Sequence, residues 1–427
     1  MREIEISLAV RIPLTRTDVH WLEAALLEQR TQLFQTALRR VVAEVEATVL
    51  PGACCPTCGG RVVANGRVPL TLETLLGRLE YPRQRCRCPR CHLDVYPLDQ
   101  ALGLLPGTGS TLGVRERACW AITEVSYAKA SAFLAKFTGL AVSHGSLHRW
   151  VQEEGRLLEA AEAQQQATAF GPPGGLVPTS RAPARPGPAR LYVQVDGTMV
   201  HHRDGGAMEC KVGIAYSERV EISRGRIALL DKQTYASFAD SATFAERFWL
   251  RCAAQGAATA GQVVFVSDGA EWIHTLQRSY FPGALVILDP WHLEQRLLEV
   301  WGSTRGGLIA RCLADAWRGD VRQLTRRLRA AAALERDLDR RAAGLGLLAY
   351  IAANADGIRN LAHLAATGSG AVEKTVDTLV THRYKKRGMS WRRPGSAALL
   401  RLRLLKANGD WDAYWAARRV HHARHAA

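Results

Sequence analysis

Two aspartates, each at the end of an apolar run rich in β-branched residues, constrain the fold of this chain most strongly. Asp196 ends the run that begins at Arg190, and Asp268 follows the run that begins at Gln262. Both are followed by glycine, in the sequences Val-Asp-Gly-Thr and Ser-Asp-Gly-Ala. Short apolar runs of this kind predict buried strands, so both carboxylates are expected at strand ends. Taken singly, an Asp-Gly after a strand is more often only a turn.

A third acid, Glu373, falls in a helical pattern. Its sequence is Gly-Ala-Val-Glu-Lys, and an apolar stripe is formed by Val372, Val376, Leu379 and Val380. Two strand-end aspartates and one helical glutamate can form a carboxylate cage for two Mg²⁺ or Mn²⁺ ions, the arrangement used for phosphoryl transfer. The three acids are therefore candidate catalytic residues and metal ligands.

Asp289 also ends an apolar run, and His292 follows three residues later. Asp289 could rival Asp268 as a ligand, and His292 could contact a phosphate near the same cavity. The simplest interpretation is a helix cap, with Pro290 at the first helical position.

The order of predicted elements after residue 190 indicates an α/β domain. It comprises three strands, a helix, a strand, a helix, a strand and then helices, with the third strand expected from Val220 to Leu230. This is a ribonuclease H-like order. The segment at about 293–366 is predicted to be almost entirely helical, and it forms an insertion before the helix of Glu373.

Two cysteine pairs, Cys55 with Cys58 and Cys88 with Cys91, each enclose two residues. Such pairs present both sulfurs to one tetrahedral Zn²⁺, so a structural zinc ribbon is predicted, with strands in the runs 61–68 and 71–81. The neighbouring Cys54, Cys86 and His92 are interpreted as bystanders. Redox chemistry is the weaker alternative, because it would not need two pairs.

A helix over residues 126–137, a break at Gly139 and a second helix capped by Ser143 resemble a helix-turn-helix. The polar positions that would face a DNA groove are His144, Ser146, His148, Arg149 and Gln152. The alternative is an ordinary helical hairpin, in which Leu147, Trp150 and Val151 pack in a core.

The charge balance points to a polyanionic partner. The net charge is +16, and residues 381–427 contain twelve Lys or Arg against two Asp. Nucleic-acid contacts are expected from that tail, notably at Arg383, Lys385, Lys386 and Arg387. No run is long and apolar enough for a membrane span, and no signal peptide is evident, so a cytoplasmic, nucleoid-associated protein is expected.

The expected organisation follows from these segments. It is a helical segment (1–50), a zinc ribbon (51–100), a helix-turn-helix DNA-binding region (110–165), a linker (166–190) and a catalytic domain (191–427). The linker is marked by six Pro and four Gly within residues 171–190.

The spaced motifs resemble those of bacterial insertion-sequence transposases of the DDE class, the Kra-type and Lre-type elements that are distantly Mutator-like. The matching residues are 195–198, 267–273, 287–292, 370–374, the run RYKKRGMSW at 383–391 and 408–411. The resemblance implies a ribonuclease H-like domain split by a helical insertion, with a catalytic triad at Asp196, Asp268 and Glu373. It gives Asp289 and His292 an ancillary role.

The expected function is therefore Mg²⁺-dependent cleavage and strand transfer on double-stranded DNA, at terminal inverted repeats and target DNA. Pairing two ends implies at least a homodimer on DNA. Two alternatives remain open, a domesticated DNA-binding regulator without catalysis and a structure-specific nuclease without strand joining. A tyrosine or serine recombinase is disfavoured, because it leaves the acidic triad unexplained.

Overall fold

The computed structural model describes residues 3–12, 15–104, 107–171, 186–363 and 370–426. Residues 172–185 of the predicted linker and 364–366 of the predicted insertion lie outside these ranges. The chain is a mixed α/β protein that divides into two compact units, Met1–Val151 with Asp410–Ala427, and Gln152–Gly409. In the described ranges, no helix has both the length and the apolar character needed to cross a bilayer.

The first part of the chain is helical apart from one small sheet. Its elements are α1 (Val19–Val49), β1 (Val63–Thr74), β2 (Gly77–Arg87), β3 (Asp94–Val95), α2 (Pro97–Ala101), α3 (Leu112–Glu124), α4 (Tyr127–Thr138) and α5 (His144–Phe170).

The second part carries the larger sheet and most of the helices. Its elements are β4 (Arg190–His202), β5 (Gly206–Tyr216), β6 (Glu218–Ser223), β7 (Arg226–Leu230), β8 (Gln233–Ser237), α6 (Ser241–Ala254), β9 (Gln262–Ser267), α7 (Glu271–Tyr280), β10 (Leu285–Leu288), α8 (Pro290–Trp301), α9 (Gly306–Trp317), α10 (Val321–Leu334), α11 (Leu338–Ala353), α12 (Ala355–Arg359), α13 (Gly370–Val376), a π-helical turn (Asp377–Thr381), α14 (His382–Tyr384), α15 (Arg393–Ala407) and α16 (Trp411–Ala426). Short 3-10 turns lie at Ala257–Thr259, Ser303–Arg305 and Asn360–His363.

In the first unit, α1 packs on the hairpin of β1 and β2. Val42 lies in one apolar core with Leu70, Leu72 and Leu79. Buried Glu46 of α1 is satisfied by the hairpin, since it accepts from Tyr81 Oη at 2.8 Å and from the Gln84 N–H at 2.6 Å, and pairs with Arg67 at 2.5 Å. A buried carboxylate with several donors joins the two elements without an unpaired charge.

The strands of this small sheet differ from those expected. The sequence predicted a break near residue 70, whereas β1 runs through Pro69 to Thr74 and turns at residues 75–76. Pro69 is tolerated because β1 is an edge strand of the order β1-β2-β3, where a missing N–H breaks no ladder on the open side.

The second unit is built on a five-stranded mixed sheet in the order β10-β9-β4-β5-β8. β4, β5 and β8 pair antiparallel, whereas β9 is parallel to β4 and β10 is parallel to β9. The parallel pairing therefore stops at one edge of the sheet, where β9 and β10 end and β4 continues alongside β5 to His202.

The third strand of this sheet is not the one predicted. Residues 220–230 form most of a separate hairpin, β6 with β7, and β8 takes the place next to β5. Gly225 turns the hairpin with a φ of 71°, and its N–H donates to Glu221 Oε1 at 2.8 Å. β8 fits the sheet because its residues are almost all buried.

Helices α8 to α12 form a block that packs directly on β9 and β10. One apolar cluster joins Val264 and Ile287 of the strands to Leu293, Leu324 and Ile351 of the helices. Gly357 of α12 lies so close to β10 that a side chain there would come within 2.7 Å of the Leu288 nitrogen.

Candidate functional site

The parallel register of β4, β9 and β10 brings Asp196, Asp268 and Asp289 to the same level on neighbouring strands. The Asp289 N–H donates to the carbonyl of Ser267 at 2.8 Å, so the pairing continues up to the acid itself. Strand ends were expected for all three acids, and Asp268 and Asp289 directly follow β9 and β10. The expectation is wrong for Asp196, because β4 continues past it to His202 in antiparallel pairing with β5, and only its parallel pairing with β9 stops there, at Gln194. The side-by-side placement of three carboxylates comes from the register of the sheet.

Asp196 is partly buried, and its pKa reflects this burial together with the surrounding charges. Burial is the main reason that the pKa of Asp196 rises to about 6, and the charges of Asp268 and Glu373 act in the same direction. The Gly197 N–H, which donates to Asp196 Oδ1 at 2.7 Å, and His292 both lower this pKa. A cation bound here would favour the carboxylate form of Asp196.

Residues near the end of α11 support the loop that carries Asp268. The Tyr350 hydroxyl donates to the Asp268 carbonyl at 2.7 Å, and Asp268 Oδ1 accepts from the Ala270 N–H at 2.8 Å. Gly269 has a φ of 81°, and a Cβ there would lie 2.5 Å from Asn354 Oδ1. Glycine is therefore required after Asp268 by the left-handed backbone and by the close approach of Asn354.

Glu373 reaches the same edge from α13, which packs on β4 and β5. The Val372 N–H donates to Oε1 of fully buried Gln194 at 3.1 Å, and Gln194 Nε2 donates to the Tyr216 hydroxyl at 3.1 Å. Gln194 precedes Asp196 by two residues on β4, so it links the two catalytic candidates. Sequence reasoning missed Gln194, although an amide side chain inside an apolar strand was a usable signal.

Asp289, His292 and Glu373 could hold a metal ion, since one ligand atom of each lies within 4.8 Å of the others. His292 Nε2 is 3.8 Å from Asp289 Oδ2 and 3.7 Å from Glu373 Oε1. The predicted cap is confirmed, because Asp289 Oδ1 accepts from the Trp291 N–H at 3.0 Å. Among the described residues, the buried Asp289 Oδ2 has no hydrogen-bond partner. A divalent cation would satisfy this costly buried oxygen.

The four predicted cysteines also converge. Sulfurs of Cys55, Cys58, Cys88 and Cys91 lie within 4.8 Å of one another, and those of Cys58 and Cys88 are 3.6 Å apart. Tetrahedral zinc with bonds of about 2.3 Å separates its sulfurs by about 3.8 Å, so this cluster could bind Zn²⁺. Backbone N–H groups of Cys58 and Thr57 lower the pKa of Cys55 to about 7, which favours the thiolate that binds metal.

Both cysteine pairs sit in the same type of backbone turn. The Gly59 N–H donates to the Cys55 carbonyl and the His92 N–H to the Cys88 carbonyl, each at 2.9 Å. Gly59 and His92 both have positive φ, 67° and 55°. His92 therefore has a backbone role at the position that glycine fills in the first turn.

Helix α4 ends at Gly139, whose φ is 71°, and the Ser146 N–H donates to Ser143 Oγ at 3.1 Å at the start of α5. Of the five predicted DNA-facing residues, His144, His148 and Arg149 are exposed, whereas Ser146 and Gln152 are half-buried. Leu147, Trp150 and Val151 are buried.

The predicted basic run has two kinds of position. Arg383 is 2 % exposed, and its guanidinium lies 4.8 Å from the ring centre of Trp391, so it packs inside the unit. Lys385, Lys386 and Arg387 are exposed. Lys385 Nζ donates to Thr198 Oγ1 at 2.6 Å, two residues from Asp196.

A cleft of about 870 Å³ along α10 was not expected from the sequence. Its lining includes the exposed arginines Arg322, Arg326, Arg329 and Arg359. The spacing of three and four residues along α10 places Arg322, Arg326 and Arg329 on one helix face. That face is strongly positive.

Comparison with known families assigns the chain as a whole. A family model described as Uncharacterised protein family (UPF0236) matches residues 16–419. The chain belongs to this family. The range shared with UPF0236 contains the four cysteines, the acids at the sheet edge and the basic run. No curated protein matches the chain.

Proposed function

We propose that this UPF0236 protein is a DDE-class transposase that binds the ends of its insertion sequence and cleaves and joins DNA with Mg²⁺ or Mn²⁺. The arrangement of its acids carries the proposal. Asp196, Asp268 and Asp289 stand level on the parallel strands β4, β9 and β10. Glu373 lies on α13, which is joined to β4 by the hydrogen bond from the Val372 N–H to Gln194.

The topology of the second unit supports a ribonuclease H-like catalytic domain. An antiparallel run of three strands is extended by two parallel strands on the other side of β4. The helical block α8–α12 lies between β10 and the helix of Glu373 in sequence, which fits an insertion before the last catalytic helix.

Bound at these acids, two Mg²⁺ or Mn²⁺ ions would activate the attacking oxygen and stabilise the leaving oxygen. Asp196, Asp268 and Glu373 would supply the carboxylates, Asp289 would offer a further oxygen ligand, and His292 would contact a phosphate beside Glu373. Water would attack the scissile phosphorus as the bond to the 3′ oxygen breaks. The released 3′-hydroxyl would then attack a target phosphodiester in the same way, without a covalent enzyme intermediate.

The remaining parts of the chain fit DNA binding. The cysteine cluster with Zn²⁺ and the α4–α5 helix-turn-helix would recognise terminal inverted repeats, and the basic run near Asp196 would contact the backbone. Two DNA ends must be joined, so the active form would be a homodimer or larger on DNA.

A strand-transfer assay on a duplex ending in the inverted repeats of the element tests the proposal. Asp196→Asn and Glu373→Gln should abolish Mg²⁺-dependent nicking and joining while leaving DNA binding intact. Asp377→Asn, an exposed acid in the turn that follows α13, is the matched control and should remain active. Full activity of either triad variant would contradict the assignment.

The same assay separates the two alternatives. A domesticated regulator would bind the repeats without nicking them in any divalent metal. A structure-specific nuclease would nick DNA but form no joined product.

A further inference from the structure

A second cavity, of about 390 Å³, lies between the β6–β7 hairpin and α13. One wall includes Arg219, Ile227 and Leu229 of the hairpin, and the other includes Lys374 and Thr375 of α13. Lys232, just after the hairpin, also lines it. Neither the metal clusters nor the DNA-binding residues predicted from the sequence include this cavity.

The cavity is positively charged. Its described lining contains three cations, Arg219, Lys232 and Lys374, and no carboxylate. Lys232 Nζ donates to the neutral Thr375 Oγ1 at 2.7 Å. Burial lowers the pKa of Lys232, and the nearby charge of Lys374 lowers it further. Two ammonium groups that repel each other in a confined space would both be stabilised by a bound anion.

The position of the cavity suggests which anion it takes. Lys374 follows Glu373 directly in α13, and the helix residues that line the cavity lie on a different face of α13 from Glu373. Phosphate oxygens accept several hydrogen bonds at once, which suits a cluster of ammonium and guanidinium donors. A nucleic-acid strand with one phosphodiester at the acids would carry further phosphates along its backbone.

We infer that Arg219, Lys232 and Lys374 form a phosphate-binding site that holds a backbone phosphate of bound DNA. The DNA part of this inference rests on the proposed function, whereas the phosphate chemistry does not. The hairpin, which is absent from the five-stranded sheet, thereby has a role as one wall of the phosphate-binding site.

The test uses the full chain and the variant Lys232→Met, with Lys232→Arg as the conservative replacement. Arg336→Met, an exposed cation of the helical block outside the cavity, controls for the loss of one charge. Affinity for a duplex oligonucleotide is measured over a range of salt concentrations. The logarithm of the affinity falls with the logarithm of the salt concentration, and losing one phosphate contact should make this negative slope shallower by about 0.9. The change is expected in Lys232→Met but not in the other two variants.

A second arm replaces DNA by inorganic phosphate and measures the melting temperature. Phosphate should stabilise the wild-type chain and Lys232→Arg, and should stabilise Lys232→Met less. Unchanged salt slope and unchanged phosphate stabilisation in Lys232→Met would overturn the inference. A phosphate effect with an unchanged salt slope would overturn its DNA part and leave a free-anion site.

Failure of the proposed function gives a different pattern. A wild-type chain that binds no DNA would refute the transposase proposal, while the phosphate arm would still decide on the cavity. If Lys232→Met does not fold, Lys374→Met, at an exposed position, replaces it. This variant is expected to show both the shallower salt dependence of DNA binding and the weaker stabilisation by phosphate. If it shows neither, the inference is overturned.

Discussion

Gln194 accepts a hydrogen bond from the backbone of Val372 inside the protein core, and this one contact joins the strand of Asp196 to the helix of Glu373. The amide also donates to the Tyr216 hydroxyl on β5. A buried side chain that is fixed at both ends can set the separation of two catalytic candidates more precisely than apolar packing alone.

Replacing Gln194 with Met should therefore affect both stability and activity. It leaves the Val372 N–H without its acceptor, which costs about 1–3 kcal/mol, and it frees the helix of Glu373 to shift. Urea unfolding and DNA nicking are the measurements. Gln277→Met is the matched control, since the buried Gln277 amide on α7 donates to the carbonyl of Phe281, the residue that follows the helix; this variant should lose stability but retain nicking. Wild-type nicking by Gln194→Met would show that the contact has no positioning role.

Tyr350→Phe tests whether the helical block positions Asp268. The variant removes the donor to the Asp268 carbonyl, so the loop should become looser, with a stability loss of about 0.5–1.5 kcal/mol. Nicking should fall several-fold while DNA binding is unchanged. Tyr192→Phe, whose hydroxyl bonds Arg190 near the start of β4, should leave nicking at the wild-type level. Equal nicking rates for Tyr350→Phe and Tyr192→Phe would argue against a role of α11 in positioning Asp268.

The pKa of Asp196 predicts a pH-dependent stability in the absence of metal. Because burial raises this pKa from 3.8 to about 6, the folded chain binds the proton more tightly than the unfolded chain does. The resulting stabilisation is present below about pH 4 and is lost as the pH rises through 6. At pH 7.5 in a chelator, the unfolding free energy of Asp196→Asn should therefore exceed that of wild type by up to about 3 kcal/mol, and the variant should melt at a higher temperature. The difference should be smaller at pH 4.5. Asp377→Asn should show no pH-dependent gain in stability over wild type. If Asp196→Asn melts at the same temperature as wild type at pH 7.5, the expectation is contradicted.

Metal analysis tests the cysteine cluster. The purified chain should contain one zinc ion, and Cys88→Ser should lose it together with the melting transition of the small sheet. Cys54→Ser provides the control, because exposed Cys54 is adjacent to Cys55 but lies outside the cluster. Zinc retained in Cys88→Ser, or lost in Cys54→Ser, would show that a different ligand set binds the ion.

Local patterns were sufficient for several features. The spacing of the cysteine pairs identified the four sulfurs that converge, and Pro290 after Asp289 identified the cap of α8. Each of these depends on residues that are close in sequence or on a ligand type with strict geometry. Membership in UPF0236 likewise follows from the sequence alone.

Features that depend on distant residues required the fold. Residues 220–230 have strand character in either location, and only competition with β8 for the edge of β5 excludes them from the main sheet. The alignment of Asp289 with Asp196 and Asp268 depends on the register of parallel strands separated by helices. The Gln194–Val372 bond spans 178 residues. Sequence periodicity reports which face of an element is buried, whereas register and partner choice are settled by packing over the whole unit.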